Sequence, residues 1–404
     1  MNTPTLARAI RRADVACRVL DGEAILLSAA GRRIHRLNAS ALLVWDLIGD
    51  GATVDELTSA LRTRVDAQEH QLRRDVRAVL GDFERGALLR SRDENLTEQV
   101  RARDHRNARS SILSATAAQP TLSLGPFPVL ESLVRVDFVG ARVPDEIRAL
   151  FADLARVLKP LTSLPAPIDI DSSSLVVLSI SAAGQSWSAT RNGKPVATSP
   201  SIPVLRRVVL AEVNAGPIEE LSHSVGFHAG AVEFPTGVVV FPGVSNAGKS
   251  TLVANLMVRG HGYLTDEAAA IDVVSQEVLP FAKSLCIDPG AQALFPELAV
   301  HSPSSAPTWD IDPAAIGLGR LGSRGKPVAF VFPTYRSGAS VSLRQLSASA
   351  ALTRLLENSF DFSATGAAGA QLLLDFAAHT PCFELSHGGQ PEHLDVLDRN
   401  FGVA

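Results

Sequence analysis

Between Asp14 and about Arg90 the hydrophobic pattern of the chain changes period. Cys17–Leu20, Ala24–Ser28 and Arg32–Leu37 are short β-rich runs separated by Asp21-Gly22 and Ala30-Gly31, turn signals of the kind that close hairpins, so three antiparallel strands are predicted. The spacing then becomes helical. Asn38 offers a cap to a helix carrying Leu42, Leu43, Trp45, Leu47 and Ile48, closed by Gly49-Asp50-Gly51. Thr53 followed by Glu56 is a capping-box signal for a second helix with Leu57 and Leu61 inward, and Asp66 followed by Glu69 repeats it for a third. On that third helix Leu72, Val76, Val79, Leu80 and Phe83 keep one face until Gly86, after which Ala87-Leu88-Leu89 returns as a strand. A small sheet with three helices reads as a winged-helix-like unit.

Residues 93 to about 122 have few large apolar groups: Arg, Asp and Glu up to Arg109, then Ser, Ala, Gln and Pro, the composition of a linker. Beyond it the pattern predicts a strand at Leu133–Val139 and an amphipathic helix at Pro144–Leu158. Leu175–Ser181 and Ser186–Ala197 read as antiparallel strands, the second bent at Asn192-Gly193, and Ile202–Asn214 as a helix. No chemical motif falls in this stretch, which reads as scaffold. The expected division is a domain at 1–92, a linker at 93–125, an α+β lead-in at 126–224 and a catalytic domain at 225–404.

Composition narrows the classes. A chain of 404 residues holds two or three domains, and 46% hydrophobic with 20% charged residues is ordinary globular usage. The net charge of −4 gives no field to hold a polyanion, so nucleic acid is not an expected partner. Cys17, Cys286 and Cys382 are far apart and without CxxC spacing, which argues against a disulfide framework or a zinc site. No apolar run reaches the ~18 residues of a membrane span, and no apolar segment follows the early arginines as a secretory signal would require. A soluble cytoplasmic protein without a membrane partner is expected.

The chemistry lies in Gly243-Val244-Ser245-Asn246-Ala247-Gly248-Lys249-Ser250, which satisfies GxxxxGK[ST]. The β-branched run Val238–Phe241 precedes it, and Thr251–Arg259, with Leu252, Leu256 and Met257 inward, follows as a helix. Glycines there turn successive amides toward an anion, and the helix N-terminus adds partial positive charge. Lys249 would bridge the outer phosphates of a nucleotide, and the Ser250 hydroxyl would be offered to Mg²⁺. Length places the neighbours. The helix runs about 16 Å from the phosphates at 1.5 Å per residue, Gly260-His261-Gly262 reverses it, and an extended Tyr263–Glu267 covers about 16 Å back. Asp266-Glu267 should therefore end level with the loop, where carboxylates can hold metal or accept a proton. Upstream, His228–Phe234 alternates as a strand, Pro235-Thr236-Gly237 turns, and Val238–Phe241 runs back antiparallel, which sets His228 beside Gly243.

His228, Gly243 to Ser250, Arg259-Gly260-His261 and Asp266-Glu267 together resemble the HPr kinase/phosphorylase family over roughly residues 226–275. The resemblance implies a P-loop domain of HPr-kinase-like (PEP-carboxykinase-like) fold with a mixed sheet. It implies that ATP is held by Gly243–Thr251 and that Mg²⁺ is ligated by Ser250, Asp266 and a downstream glutamate, for which Glu297 is the nearest candidate. It implies that His228 assists charge neutralisation and that the acidic pair supplies the base, either Asp266 or Glu267. The segment that makes the family bifunctional is not recognisable. Residues 14–90 resemble the PqqD-like family of peptide-recognition elements through the strand pair, Leu37-Asn38, Trp45, Thr53-Val54-Asp55-Glu56-Leu57 and the Asp75-Val76 helix ending at Gly86. Such modules add a leader peptide as an edge strand.

The expected fold class is therefore multidomain, α+β and α/β. The expected function is a Ser/Thr kinase acting on a precursor peptide or small protein held by the N-terminal domain in a ribosomal-peptide modification system. A non-transferring ATP-binding chaperone that serves a partner modification enzyme, or a small-molecule kinase, are the alternatives. Homo-oligomerisation stays open.

Overall fold

The computed structural model describes residues 8–90, 119–163, 175–244, 247–301 and 308–402, the side chain of residue 301 excepted. The expected linker therefore lies mostly outside the described residues. The chain forms two compact units: residues 1–110 with 363–378, and residues 111–362 with 379–404. The class is mixed αβ with several sheets. Among the described residues no helix is long and apolar enough to cross a membrane.

The first unit holds the antiparallel sheet β1 (Val15–Leu20), β2 (Glu23–Ser28) and β3 (Arg33–Leu37), in that order. Asp21 and Gly22 both take positive φ in the two-residue turn that pairs Leu20 with Glu23. Helix α1 (Ala39–Ile48) starts where the Asn38 side chain accepts from the Ala41 amide. Helix α2 (Val54–Arg62) starts on a complete Thr53/Glu56 capping box. Helix α3 (Glu69–Arg85) departs from expectation: it begins at Glu69 with no side-chain cap, so Asp66 is not its capping residue. The Glu69 carboxylate is drawn instead to Arg62, 2.8 Å away. Trp45 lies fully buried with its ring edge-on to Phe83 at 5.4 Å, joining α1 to α3. Left-handed backbone after α3 falls on Ala87 (φ 53°), not on Gly86. Gly86 is needed for space, because a Cβ there would meet His35 Cε1 at 3.0 Å. Residues 87–89 form no strand and make a single bridge, Arg11 to Leu89. Helix Gly366–His379 joins this unit, where Asp375 pairs with Arg18 on β1.

The second unit opens with a five-stranded sheet: β4 (Leu122–Val129), β5 (Ser132–Val139), β6 (Leu175–Ala183), β7 (Ser186–Arg191) and β8 (Lys194–Ser199). Strand β4 begins within the stretch expected to be linker. The expected bend at Asn192-Gly193 is a full hairpin turn with both residues at positive φ, so one long strand becomes β7 and β8. Helix α4 (Asp145–Leu158) crosses between the parallel pair β5 and β6. Helix α5 (Ile202–Glu219) runs five residues beyond Asn214. Both pack apolar faces (Ile147, Leu154, Val209, Val213) onto Val134, Val136, Leu178 and Ile180.

The eight-stranded sheet is built on β9 (Ser224–Phe234). Next to it come β10 (Gly237–Pro242), β11 (Gly262–Thr265), β12 (Ala268–Asp272) and β13 (Val278–Leu279). Strands β14 (Leu285–Ile287) and β15 (Trp309–Ile311) pair separately. Strands β16 (Pro327–Tyr335), β17 (Ser342–Gln345) and β18 (Cys382–His387) complete it in the order β13-β12-β9-β10-β16-β18-β17, with β11 also on β9. The pairs β10–β16 and β16–β18 are parallel and the rest antiparallel, which makes the sheet mixed. Helix α6 (Lys249–Val258) packs on β9, the single turn α7 is Pro289–Gln292, and α8 (Ala348–Asn358), α9 (Gly366–His379) and α10 (Glu392–Phe401) follow. Ala268, Ala270 and Phe281 sit in the core of the five-stranded sheet, so the expected lead-in and the strands that follow residue 225 share hydrophobic interior within the second unit.

At the end of β18, His387 is 6% exposed and neither ring nitrogen has a hydrogen-bond partner. Its ring stacks on His393 at 4.3 Å. Burial, helped by the neighbouring His393, pushes its pKa down to about 4. The unfolded chain takes up this proton near the ordinary 6.5, so stability falls as pH drops from about 6.5 to 4 and then stops responding to this group. Denaturation midpoints across that window should decline for the wild type and decline less steeply for His387→Leu.

Candidate phosphate-binding site

The β9–β10 hairpin fixes the site. Gly237 (φ 135°) closes the turn against Val328, whose Cγ1 would lie 2.5 Å from any Cβ there. Register then runs from Gly237 opposite Phe234 to Pro242 opposite Ala229, and the Gly243 amide donates to the His228 carbonyl at 3.0 Å. The loop leaves the sheet at this point. Val244 is exposed, Ser245 and Asn246 lie outside the described residues, and Ala247 donates its amide to the Val244 carbonyl. Gly248 caps α6 at φ 82° with nothing near a Cβ, so backbone conformation alone calls for glycine. Ser250 and Thr251 stand half-buried on the first turn of α6.

Lys249 folds back over the loop. Its buried ammonium donates to the carbonyls of Gly243 (2.7 Å) and Val244 (2.8 Å). Burial lowers its pKa, opposed by attraction from Glu267 and Asp266. Helix α6 can lie this close to β9 because Gly230 has no side chain; a Cβ there would meet Val253 Cγ2 at 2.7 Å.

On its other edge β9 pairs with β11 as far as Thr265 and resumes with β12 at Ala268, opposite His228. Asp266 and Glu267 occupy the break, and the Glu267 carbonyl accepts from the Ala229 amide at 3.2 Å. The two carboxylates differ sharply. The Asp266 side chain is 2% exposed, with Oδ1 taking the Tyr263 hydroxyl and the Lys283 ammonium, each at 2.9 Å. The Glu267 side chain is 38% exposed and lies 3.6 Å from the same ammonium. Burial and Asp266 raise the Tyr263 pKa well above its usual value, which keeps the phenol a neutral donor. Burial presses the Lys283 pKa down, but the two carboxylates outweigh it and raise it overall.

His228 is half-buried with its ring edge-on to Phe360 at 6.2 Å. Burial and repulsion from Lys249 lower its pKa, against the raising influence of Glu267, so the imidazole is held toward its neutral form. Glu297 stands exposed on the 3₁₀ turn Pro296–His301, and no hydrogen bond or ion pair described joins it to Asp266 or Ser250. Arg259 and His261 lie at the far end of α6, about 15 Å along the helix from Lys249. There they bind Asp395 and Asp398 of α10 at 2.6–2.7 Å and line an open cleft of about 420 Å³. The tripeptide Arg259-Gly260-His261 thus anchors the C-terminal helix rather than the loop.

The structure brings together His228, Gly243, Lys249, Asp266 and Glu267. Sequence reasoning missed Tyr263 as a partner of Asp266 and missed Lys283 altogether. The signal for Lys283 was its standing as the lone charge within Val278–Ile287.

Residues 23–89 match the family Coenzyme PQQ synthesis protein D (PqqD). No curated protein matches the chain. Two solved structures are among those to which it is similar. One is "TbiB1 in Complex with the TbiA(beta) Leader Peptide", at 22% identity and TM-score 0.19, covering 20% of this chain and 95% of that one. The other is the Hpr(Ser) kinase/phosphatase from Coxiella burnetii, at 14% identity and TM-score 0.25, covering 43% of this chain and 94% of that one. Both kinds of protein expected from the sequence are thus among its similarities.

Removing the phenol hydroxyl from the buried carboxylate should be measurable without any ligand. Tyr263→Phe is expected to lower the unfolding free energy by about 1–3 kcal/mol in urea titrations, the cost of stripping a donor from a buried charged acceptor.

Proposed function

We propose that the protein is an ATP-dependent kinase that transfers the γ-phosphate to a Ser or Thr hydroxyl of a peptide recruited by its N-terminal domain. The observation that carries this reading is the shared register of β9. It sets the lysine of a glycine-rich loop and two carboxylates of unequal exposure at the same end of one strand.

The residues fit a magnesium nucleotide. Among the described residues the Lys249 ammonium donates to carbonyl oxygens, which phosphate oxygens would replace with charge-assisted bonds, and the first turn of α6 from Gly248 to Thr251 offers amides at a helix N-terminus. Ser250 and Asp266 are the hard oxygen donors that would hold Mg²⁺. Bound Mg²⁺ would neutralise charge on the β- and γ-phosphates.

Between the two acids, Glu267 is the proposed base. The Asp266 Oδ1 is occupied by Tyr263 and Lys283, whereas Glu267 is accessible to an incoming hydroxyl. Glu267 takes the hydroxyl proton as the oxygen attacks phosphorus and the bond to the leaving ADP oxygen breaks, while Lys249 and the loop amides balance charge on the transferred group. Peptide recruitment is supported by the PqqD match and by β3, which among the described residues pairs only with β2 and so offers an edge for strand addition. Tethering would raise the local acceptor concentration to about millimolar.

Labelled ATP and leader-bearing peptides containing Ser or Thr test the proposal. Label should reach peptide with the wild type and fall by about 10²-fold or more with Lys249→Ala and with Glu267→Gln. ATP binding without transfer to any peptide sinks the kinase reading in favour of a non-transferring chaperone, and label on a metabolite alone favours a small-molecule kinase.

A further inference from the structure

Lys283 enters the scheme above only as a partner of Asp266, yet with Lys249 it is one of two buried cations in the site. The residue is 7% exposed. Its ammonium contacts Asp266 Oδ1 at 2.9 Å, Glu267 Oε2 at 3.6 Å and the Ser284 carbonyl at 3.3 Å. The Tyr263 hydroxyl, besides reaching Asp266, lies 3.2 Å from the Lys283 carbonyl, so main chain and side chain of this residue are both tied to the acidic pair.

The backbone beneath it is fixed on three sides. Phe281 donates its amide to the Leu264 carbonyl of β11 and buries its ring in the core of the five-stranded sheet. The Ser284 hydroxyl donates to the Val157 carbonyl near the end of α4 at 2.6 Å. Leu285 enters the core of the eight-stranded sheet. A flexible surface lysine could approach two carboxylates by chance. One clamped between two hydrophobic cores is positioned.

We propose that Lys283 is a built-in counter-cation of the phosphoryl-transfer site, holding Asp266 and Glu267 in place and cutting their combined charge from minus two to minus one. This rests on the kinase reading for its mechanism. Two adjacent carboxylates with no such cation would attract a divalent ion by themselves. With Lys283 between them the pair binds metal weakly until nucleotide phosphates add their charge, so metal and nucleotide arrive together. The same ammonium keeps Glu267 beside the loop. The lead-in sheet thereby acquires a task, since its contact at Val157 helps to hold the segment that carries the cation.

The test uses full-length protein without nucleotide, with Mn²⁺ alone as the probe, followed by paramagnetic resonance of the unbound ion. Lys283→Met should bind Mn²⁺ about tenfold or more tightly than the wild type, and Lys283→Arg should stay within about threefold of it. Unchanged affinity in folded Lys283→Met overturns the proposal. Loss of the buried partner could leave that variant unfolded, and a second pair then decides. Asp266→Asn should weaken Mn²⁺ binding, and Asp266→Asn/Lys283→Met should recover about tenfold relative to Asp266→Asn; no recovery overturns the proposal. In the transfer assay Lys283→Met should lower kcat by at least about tenfold with the KM for ATP within about threefold, and Lys283→Arg should restore part of kcat. An unchanged kcat refutes the positioning role. If the wild type itself transfers no phosphate, the kinase reading fails while the Mn²⁺ comparison still decides whether Lys283 is the counter-cation.

Discussion

The register of β9 is the constraint on which the site depends. Its eleven residues pair with β10 along one edge and with β11 and β12 along the other. A one-residue slip would turn every side chain to the opposite face. With Gly243 bonded to His228 on one side and Ala268 opposite His228 on the other, the loop and the acidic pair must emerge at the same end. The glycines of β9 serve this geometry. Gly230 lets α6 settle against the strand at Val253, and Gly226 leaves room for Leu221 and Phe360. The alignment is therefore enforced by packing on a rigid sheet, the arrangement that phosphoryl transfer needs, since positioning carries much of its catalysis.

Electrostatics then divides two adjacent acids into different parts. Asp266 is closed off by a buried phenol and a buried ammonium, both of which donate to its Oδ1. Glu267, one residue on, keeps contact with solvent. Such separation of like groups by environment is how one site can hold a metal with one carboxylate and move a proton with the other.

Much of the architecture was legible because it rests on local rules. Asn38, Thr53 and Glu56 are caps whose bonds span three residues, and counting from Pro235 set His228 beside Gly243 because a tight hairpin leaves no slack. What escaped depended on partners distant in sequence. Asp66 and Glu69 had the spacing of a capping box, but the helix starts at Glu69 without a side-chain cap and Glu69 pairs with Arg62. Asn192-Gly193 gave a turn signal that was read as a bend, since only the pairing of β7 with β8 reveals a full reversal. Gly86 was legible as the stop of α3, but not the close approach of His35 from β3 that leaves no room there for a side chain. Lys283 stood out locally only as the lone charge in an apolar run; its partners Asp266 and Glu267 lie outside any local window around it.

Lys249 meanwhile bonds back to the segment that precedes it. Its ammonium donates to the Gly243 and Val244 carbonyls, and each such bond contributes a net stabilisation of only about 0.5–1.5 kcal/mol because water could serve in its place. A phosphate oxygen offers full negative charge to the same donor, and the α6 N-terminus attracts it further. On the proposed reading, exchange of carbonyl for phosphate would engage the four-carbon side chain of Lys249 and leave β10 and α6 in place, since β10 pairs with β9 and α6 packs on it.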